Sequence, residues 1–495
     1  MKGLSLAGGR KLLAPLAIGA LLLSAATISA KADTDNITKT STVPVDAHSM
    51  VGTGGAGCTP TSFSFDISWV DPFDHVYLLA DRTHGNNITG LTSDGDILLI
   101  DIANVNLKSP NPTNQGTIAL TPPSDDPFAG IVCDQNAAFG GSAAAGRNEI
   151  TGPNGVFTVN HVEAWAGDGP SRFTFGQTNT AADYASDPCD SSVRVFNLAT
   201  GQQTDHINLH GCFRTDEGAF DPTDQLALFA NPSEQPLPGN GSATALNASP
   251  FITLISTIPV MPGDHHAIVK QINFDGTHGT VAANGGIEQA VYVADTGLFY
   301  IAVPGNTAAP NDGWIVIVDP RGDNGHKDNI HVVRNIPTPG CNPHGLAIGP
   351  DDELFLGCNS GPEEVMDARS GHVLATLTAT AGGCDEVAYN AGDNHFVGAC
   401  STGAGPGQFG YDQVDAHPIA VDQAKVPTAP GAHSIAADPV TVSSWIPAFA
   451  GDACGAGACV AIYTSSGGDE ASVFAQQVLG GHRDSGQQFA GDNQH

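Results

Sequence analysis

Cys341-Asn342-Pro343-His344-Gly345-Leu346-Ala347-Ile348-Gly349-Pro350-Asp351-Asp352-Glu353-Leu354-Phe355-Leu356 reads as a polar start, a short apolar run, a turn and a second apolar run. The same shape returns at Asp385-Glu386-Val387-Ala388-Tyr389-Asn390, which leads through a Gly-Asp turn to His395-Phe396-Val397. Further copies begin at Asp66-Ile67-Ser68-Trp69-Val70-Asp71-Pro72, Asp216-Glu217-Gly218-Ala219-Phe220-Asp221-Pro222, Glu288-Gln289-Ala290-Val291-Tyr292 and His433-Ser434-Ile435-Ala436-Ala437-Asp438-Pro439. A repeat with this period means that one supersecondary unit is copied, and the copy number decides the architecture.

Each copy continues outward. Val193-Arg194-Val195-Phe196-Asn197-Leu198-Ala199-Thr200-Gly201 matches Val365-Met366-Asp367-Ala368-Arg369-Ser370-Gly371, and Asp96–Asp101 and Trp314–Asp319 are further third segments. Fourth apolar runs follow at Ile207-Asn208-Leu209 and Val373–Leu377. Short aliphatic and β-branched runs between turn residues indicate strands, and long amphipathic helical patterns are absent after the first residues. Four strands per unit, repeated radially, make a β-propeller. First strands start near 66, 216, 288, 344, 385 and 433, and a poorly matching unit with Gly155-Val156-Phe157-Thr158-Val159 fills the wide first gap. The expectation is an all-β fold, one propeller of seven four-stranded blades; six or eight would also close a ring.

The chain opens with Lys2, Arg10 and Lys11, an apolar run from Leu12 to Ala26, and Ala30-Lys31-Ala32. This is the pattern of a secretory signal peptide over 1–32, which predicts a secreted or periplasmic protein. Residues 33–57 and 467–495 read as flexible ends and 58–466 as the propeller, with no further stretch long enough to span a membrane. The formal net charge is −33. So acidic a chain lacks the Lys/Arg surface that phosphate binding needs, which excludes nucleic acid as a partner and leaves a small-molecule ligand or another extracellular protein.

Ten cysteines in an exported chain suggest disulfide staples. Cys341 and Cys358 flank one hairpin, and Cys384 and Cys400 flank the next in the same way, which brings equivalent strand positions within bridging range. Cys454 and Cys459 close a small loop. Cys189 with Cys212 and Cys58 with Cys133 pair by elimination. A cysteine metal site is the less supported reading, because no CxxC pair occurs.

Aligning the copies places Asp66, Asp216, Glu288, His344, Asp385 and His433 at one equivalent position, where each first strand begins at the mouth of the central channel. Glu217, Gln289 and Glu386 occupy the next position. Crowded carboxylates either retain a proton or hold a cation. Oxygen and imidazole donors suit Ca²⁺, Mg²⁺, Mn²⁺ or Zn²⁺. His344 or His433 could act as general base, since imidazole titrates near neutral pH. The plainer reading is a wet channel whose polar residues cap turns. The sequence has no G-x-S-x-G elbow and no CxxCH haem motif.

Pro343-His344-Gly345-Leu346-Ala347 with its Gly-Pro-Asp-Asp turn, and the Asp367-Ala368-Arg369-Ser370-Gly371 turn, resemble the lactonase-like β-propellers over about residues 60–465. That group includes YVTN-repeat, NHL-repeat, gluconolactonase-like and streptogramin-lyase-like proteins. The gluconolactonase-like resemblance implies a divalent metal held by Asp216, Glu217, Glu288 and Asp385, with Asp66 of the aligned ring as a further candidate ligand, although the Asn ligand of that set is not evident. The streptogramin-lyase-like resemblance implies that His344, with Glu288 or Glu386, assists an elimination. Together they imply a hydrolase or lyase acting on a small lactone or ester; a non-catalytic extracellular binding propeller is the alternative.

Overall fold

A computed structural model describes residues between 37 and 465, apart from internal stretches of which the longest are 46–64, 134–146, 170–189 and 233–248. The chain divides into Met1–Lys31 and Ala32–His495, and the first unit lies outside the described residues. The expected signal peptide over 1–32 and flexible tail over 467–495 therefore fall outside them, as do the proposed bridges Cys58–Cys133 and Cys189–Cys212.

Seven antiparallel sheets repeat along the chain. The first strands are Phe65–Asp71, Val156–Val159, Gly218–Asp221, Ala290–Val293, Pro343–Ile348, Cys384–Asn390 and Ala436–Asp438. Each touches the first strand of the next sheet, and the seventh touches the first, so the ring closes around a central axis. This is a seven-bladed propeller of four-stranded blades, with a short extra pairing at Val426–Pro427 in the sixth. Among the described residues no helix is long and apolar enough to cross a membrane.

The seventh blade corrects one boundary. Ile37–Pro44, expected as part of a flexible end, is its outermost strand, paired antiparallel with Cys459–Ser465. Val43 and Val45 are buried among the aliphatic side chains between the seventh and first blades, which ties the segment down. The propeller thus begins at 37, not 58.

Period-2 alternation in each strand serves two interfaces at once. Leu226, Leu228 and Ala230 face the fourth blade, whereas Ala227 and Phe229 face the second. Seven apolar clusters result, each filling the wedge between consecutive blades. Acids at the far end of the first strands make turns. Asp71 Oδ1 accepts from the Phe73 and Asp74 amides at 2.9 and 3.2 Å, and Asp221 Oδ1 accepts from Thr223 and Asp224 at 2.8 and 3.1 Å. After the third strands, Asp367 Oδ1 accepts from the Ser370 amide at 2.6 Å, and Gly371 takes φ +74° to complete the turn.

Cys341–Cys358 and Cys384–Cys400 are bonded across the first two strands of the fifth and sixth blades, and Cys454–Cys459 closes a loop in the seventh.

Candidate functional site at the channel mouth

The acids that start the first strands do no turn capping; they gather at one end of the ring. Asp66 Oδ2 accepts from Arg82 Nη1 at 2.9 Å, and His433 Nε2 lies 3.7 Å from Asp66 Oδ1. His433 also stacks on Phe65, with ring centroids 4.6 Å apart. Asp216 Oδ2 accepts from Arg214 Nε at 2.5 Å. His344 Nδ1 stands 3.0 Å from Asp385 Oδ1 and 3.9 Å from Glu288 Oε1. Ser434 Oγ donates to Glu386 Oε2 at 2.8 Å and lies 2.9 Å from Ser68 Oγ. Five of these eight sequence-predicted residues meet another of their number directly: Asp66 with His433, and His344 with Asp385 and Glu288. Asp216, Glu217 and Glu386 join through charge instead, since Glu217 feels Glu386, Glu288, Asp216 and Asp385.

The backbone holds this geometry. The Gln289 amide donates to His344 O at 3.2 Å, and the Glu386 amide to His433 O at 3.2 Å, so neighbouring first strands are joined just where the functional side chains emerge. Gln289 Oε1 accepts from Leu346 N at 2.7 Å while its Nε2 donates to Val387 O at 3.2 Å, tying three blades together. Gln289 is thus a brace, although it aligns with Glu217 and Glu386. A Cβ on Gly155 would sit 2.0 Å from Asp216 O, so only glycine lets the second blade approach this closely.

Three mouth residues were not found from sequence. Arg82 directly follows the second strand of the first blade, Val76–Asp81, and its Nη1 also donates to Asn154 Oδ1 at 3.1 Å. Arg214 lies two residues before Asp216. Asn154 starts the second blade, where the repeat matches poorly; its carbonyl accepts from Ile67 N at 3.3 Å beside Asp66. Pro153-Asn154-Gly155 before the Val156 strand was the readable signal for that residue.

Burial raises the acids most removed from water. Asp216 is pushed up to about 7 by burial and the Asp66 charge, against the pull of Arg214. Burial lifts Glu288 to about 8, with His344 opposing and Asp216 and Asp385 adding to the rise. Burial and neighbouring carboxylates hold Glu217 and Glu386 well above the usual range. Asp385 behaves oppositely. Its side chain is 45% open to solvent, and the His344 hydrogen bond with the charges of His344 and His433 outweighs burial and lowers it. Burial works against a charged His433, but the Asp66 hydrogen bond and the Asp385 and Asp66 charges raise it above its ordinary value.

Asp216 Oδ1, Glu217 Oε2 and Glu386 Oε1 are buried with no hydrogen-bond partner. Hard, partnerless carboxylate oxygens in a site with six acids and two guanidinium groups fit a divalent cation. These donors are not drawn into a compact trio. Among the described residues, the one set of three donor atoms within 4.8 Å of one another is Glu363, Cys384 and Cys400, just behind the mouth.

No family model matches the chain, and no curated protein matches it. A chain of the "Crystal Structure of Mitotic Checkpoint Complex" is similar over 93% of this chain and 98% of its own length, at 9% identity and a TM-score of 0.47. The lactonase-like resemblance rests on the residues quoted for it.

Proposed function

We propose that the channel mouth binds a divalent cation through Asp216, Glu217, Glu288 and Glu386, in a protein of an oxidising compartment that hydrolyses or cleaves a small lactone or ester. The observation that carries this reading is the set of three buried, partnerless carboxylate oxygens. Leaving such groups unmatched costs more than any hydrogen bond elsewhere returns, and an ion drawing the oxygens inward removes that cost. Ca²⁺, Mg²⁺ or Mn²⁺ suits oxygen donors better than Zn²⁺ does. When bound, the ion would polarise a carbonyl or activate water.

The chain's own groups supply the rest. Asp385 accepts from His344 Nδ1–H, which sets the tautomer and leaves the Nε2 lone pair as the basic site. Asn342 and Asn359 amides, each 3.3 Å from Nε2, hold the ring in place until a substrate proton is presented. Asp385, 3.0 Å from His344 Nδ1 and held in its charged form, stabilises the imidazolium that results. Arg82 and Arg214 pair with Asp66 and Asp216 and offset part of the ring's negative charge. Two cross-strand disulfides fit an extracytoplasmic compartment.

A binding platform is the second reading, and a different surface favours it. Phe73, Val162 and Val440 are 66%, 54% and 42% exposed in the first turns of three adjacent blades, on the face away from the mouth.

Metal analysis of purified protein decides between the two. A divalent ion should co-purify, and Ca²⁺ or Mn²⁺ added after chelation should raise Tm. Asp385→Ala with Glu386→Ala should abolish that response, while Asp351→Ala, in a turn on the opposite face, should keep it. Absence of both ion and Tm response would sink the cation reading.

A further inference from the structure

Equivalent turns around the ring divide the face away from the mouth into two arcs. Phe73, Val162 and Val440 stand in the first turns of the first, second and seventh blades, and Ile258, 59% exposed, follows the third strand of the third blade. The other exposed large aliphatic residues among those described, Ile118, Ile268, Val333 and Leu374, are spread one to a blade over outermost strands. In the fourth, fifth and sixth blades the first turns carry Asp295-Thr296, Asp351-Asp352 and Asp393-Asn394 instead. Scattered apolar side chains need no explanation, whereas a run across four consecutive blades does.

The run is continuous. The Phe73 and His161 rings are 4.9 Å apart, and Val162 directly follows His161. Asn160 Nδ2 donates to Gln225 Oε1 at 2.8 Å, and Thr257 Oγ1, beside Ile258, donates to the same atom at 3.0 Å. On the other side of Phe73, the His75 charge reaches Asp438, two residues before Val440.

The charge around the run is one-sided. Among the described residues, the turns of these four blades on this face contain no Lys or Arg, while Asp74, Asp101 and Asp224 lie in them at least partly open to water. Burial holds Asp74 and Asp438 above the ordinary carboxylate range, with the Asp71 charge adding to the rise at Asp74, and burial pushes Asp221 up to about 6. The fourth and fifth blades differ, because their acids have cations of their own. Arg321 Nε donates to Asp319 Oδ1 at 2.9 Å, and Arg369 pairs with Asp352 and, at 3.4 Å, with Asp295. The acids left without a guanidinium or ammonium therefore coincide with the exposed apolar residues.

We propose that this arc docks a protein segment whose aliphatic side chains are flanked by Lys or Arg. Phe73 is the central anchor, since aromatic side chains carry a large share of interface energy, and Val162, Val440 and Ile258 extend the apolar contact to either side. The flanking acids attract a basic partner and repel others. A second copy of this chain, with its formal charge of −33, would set acid against acid, and an anionic lipid surface would do the same. This occupant rests on the binding-platform reading and is independent of a cation at the mouth.

The probe is a synthetic amphipathic helix of Leu and Lys, added to the full-length protein. Counterparts with Ser in place of Leu, and with Glu in place of Lys, isolate the two requirements. Fluorescence anisotropy should show saturable binding of the Leu/Lys peptide that weakens as salt is added. A water-soluble carbodiimide should join its lysines to Asp74, Asp101 or Asp224, as mapped by mass spectrometry. Phe73→Ser with Val162→Ser should weaken binding about tenfold or more, whereas Ile118→Ser with Leu374→Ser should leave it unchanged. The proposal is overturned if the Ser/Lys peptide binds as well as the Leu/Lys peptide, or if Phe73→Ser with Val162→Ser binds undiminished. A Leu/Glu peptide that binds equally well, and is lost in that variant, would overturn the basic occupant and leave the platform reading standing. Failure of every peptide to engage the arc would remove both. Dimers or phosphatidylcholine-vesicle binding abolished by Phe73→Ser with Val162→Ser would also overturn the proposal, by identifying a different occupant. The cross-link map of the wild type decides the matter even where a variant fails to fold.

Discussion

Glu288 and Asp216 carry a pH signature whose sign can be worked out. Burial keeps them protonated in the folded chain to about 8 and about 7, whereas the unfolded chain releases those protons near the ordinary carboxylate values. Between these limits the folded state binds more protons, so stability falls as pH rises. His433 acts in the same direction: raised in the folded chain, its contribution is full below its ordinary 6.5 and is lost as pH climbs through the raised value. Asp385, which is lowered, contributes above the usual carboxylate range and loses that contribution in acid. Metal-free protein should therefore melt at progressively lower temperature from about pH 5 to about pH 9. Glu217→Gln with Glu288→Gln should flatten that decline and raise Tm at high pH by a few degrees, as read by calorimetry. An unchanged slope would show that these carboxyls are not the repelling groups. Most of these residues could be read in the sequence because the repeat supplies its own alignment. Arg82, Arg214 and Asn154 could not, since two lie outside the aligned phrase and the third opens the blade that matches it least.

At the scale of the element, a few side-chain–backbone bonds repeat around the ring and make the turns legible. The Asp367–Gly371 turn and its counterpart Asn197–Gly201 share an Asx hydrogen bond and a glycine in the left-handed region, with φ of +74° and +68°. Gly201→Ala should cost about 1 kcal/mol, because the backbone conformation alone is penalised and its Cβ would meet nothing nearer than Leu120 Cδ2 at 3.7 Å. Gly371→Ala should cost more, since its Cβ would come within 2.9 Å of Ile336 Cδ1. Urea melts compare the two, and equal losses would mean that the turn conformation, rather than crowding, sets both. Cysteine spacing read two cross-strand bridges correctly because equivalent positions of paired strands must face each other. The outermost strand of the seventh blade escaped notice. Ile37-Thr38-Lys39-Thr40-Ser41-Thr42-Val43 is polar on its open side, and its partner lies at the other end of the chain, so no local pattern marks it.

For the whole molecule, ring closure rests on that strand. Val43 is buried between the seventh and first blades, so Val43→Asp places an unpaired charge in the wedge and should cost roughly 3 kcal/mol or more. The matching observation is faster hydrogen exchange in Cys459–Ser465, with exchange in the third and fourth blades little changed. Uniform acceleration throughout would mean that the ring opens only as a unit. The strand has a further consequence in time. Thr40 hydrogen-bonds to the backbone of Ile462, 422 residues later in the chain. At about 5–20 residues per second, roughly 20–80 s separate the synthesis of the two. Throughout that interval the opening segment waits for a partner not yet made. Any chaperone, translocase or oxidant that must meet the open ring has that delay in which to act, and the ribosome's clock sets it.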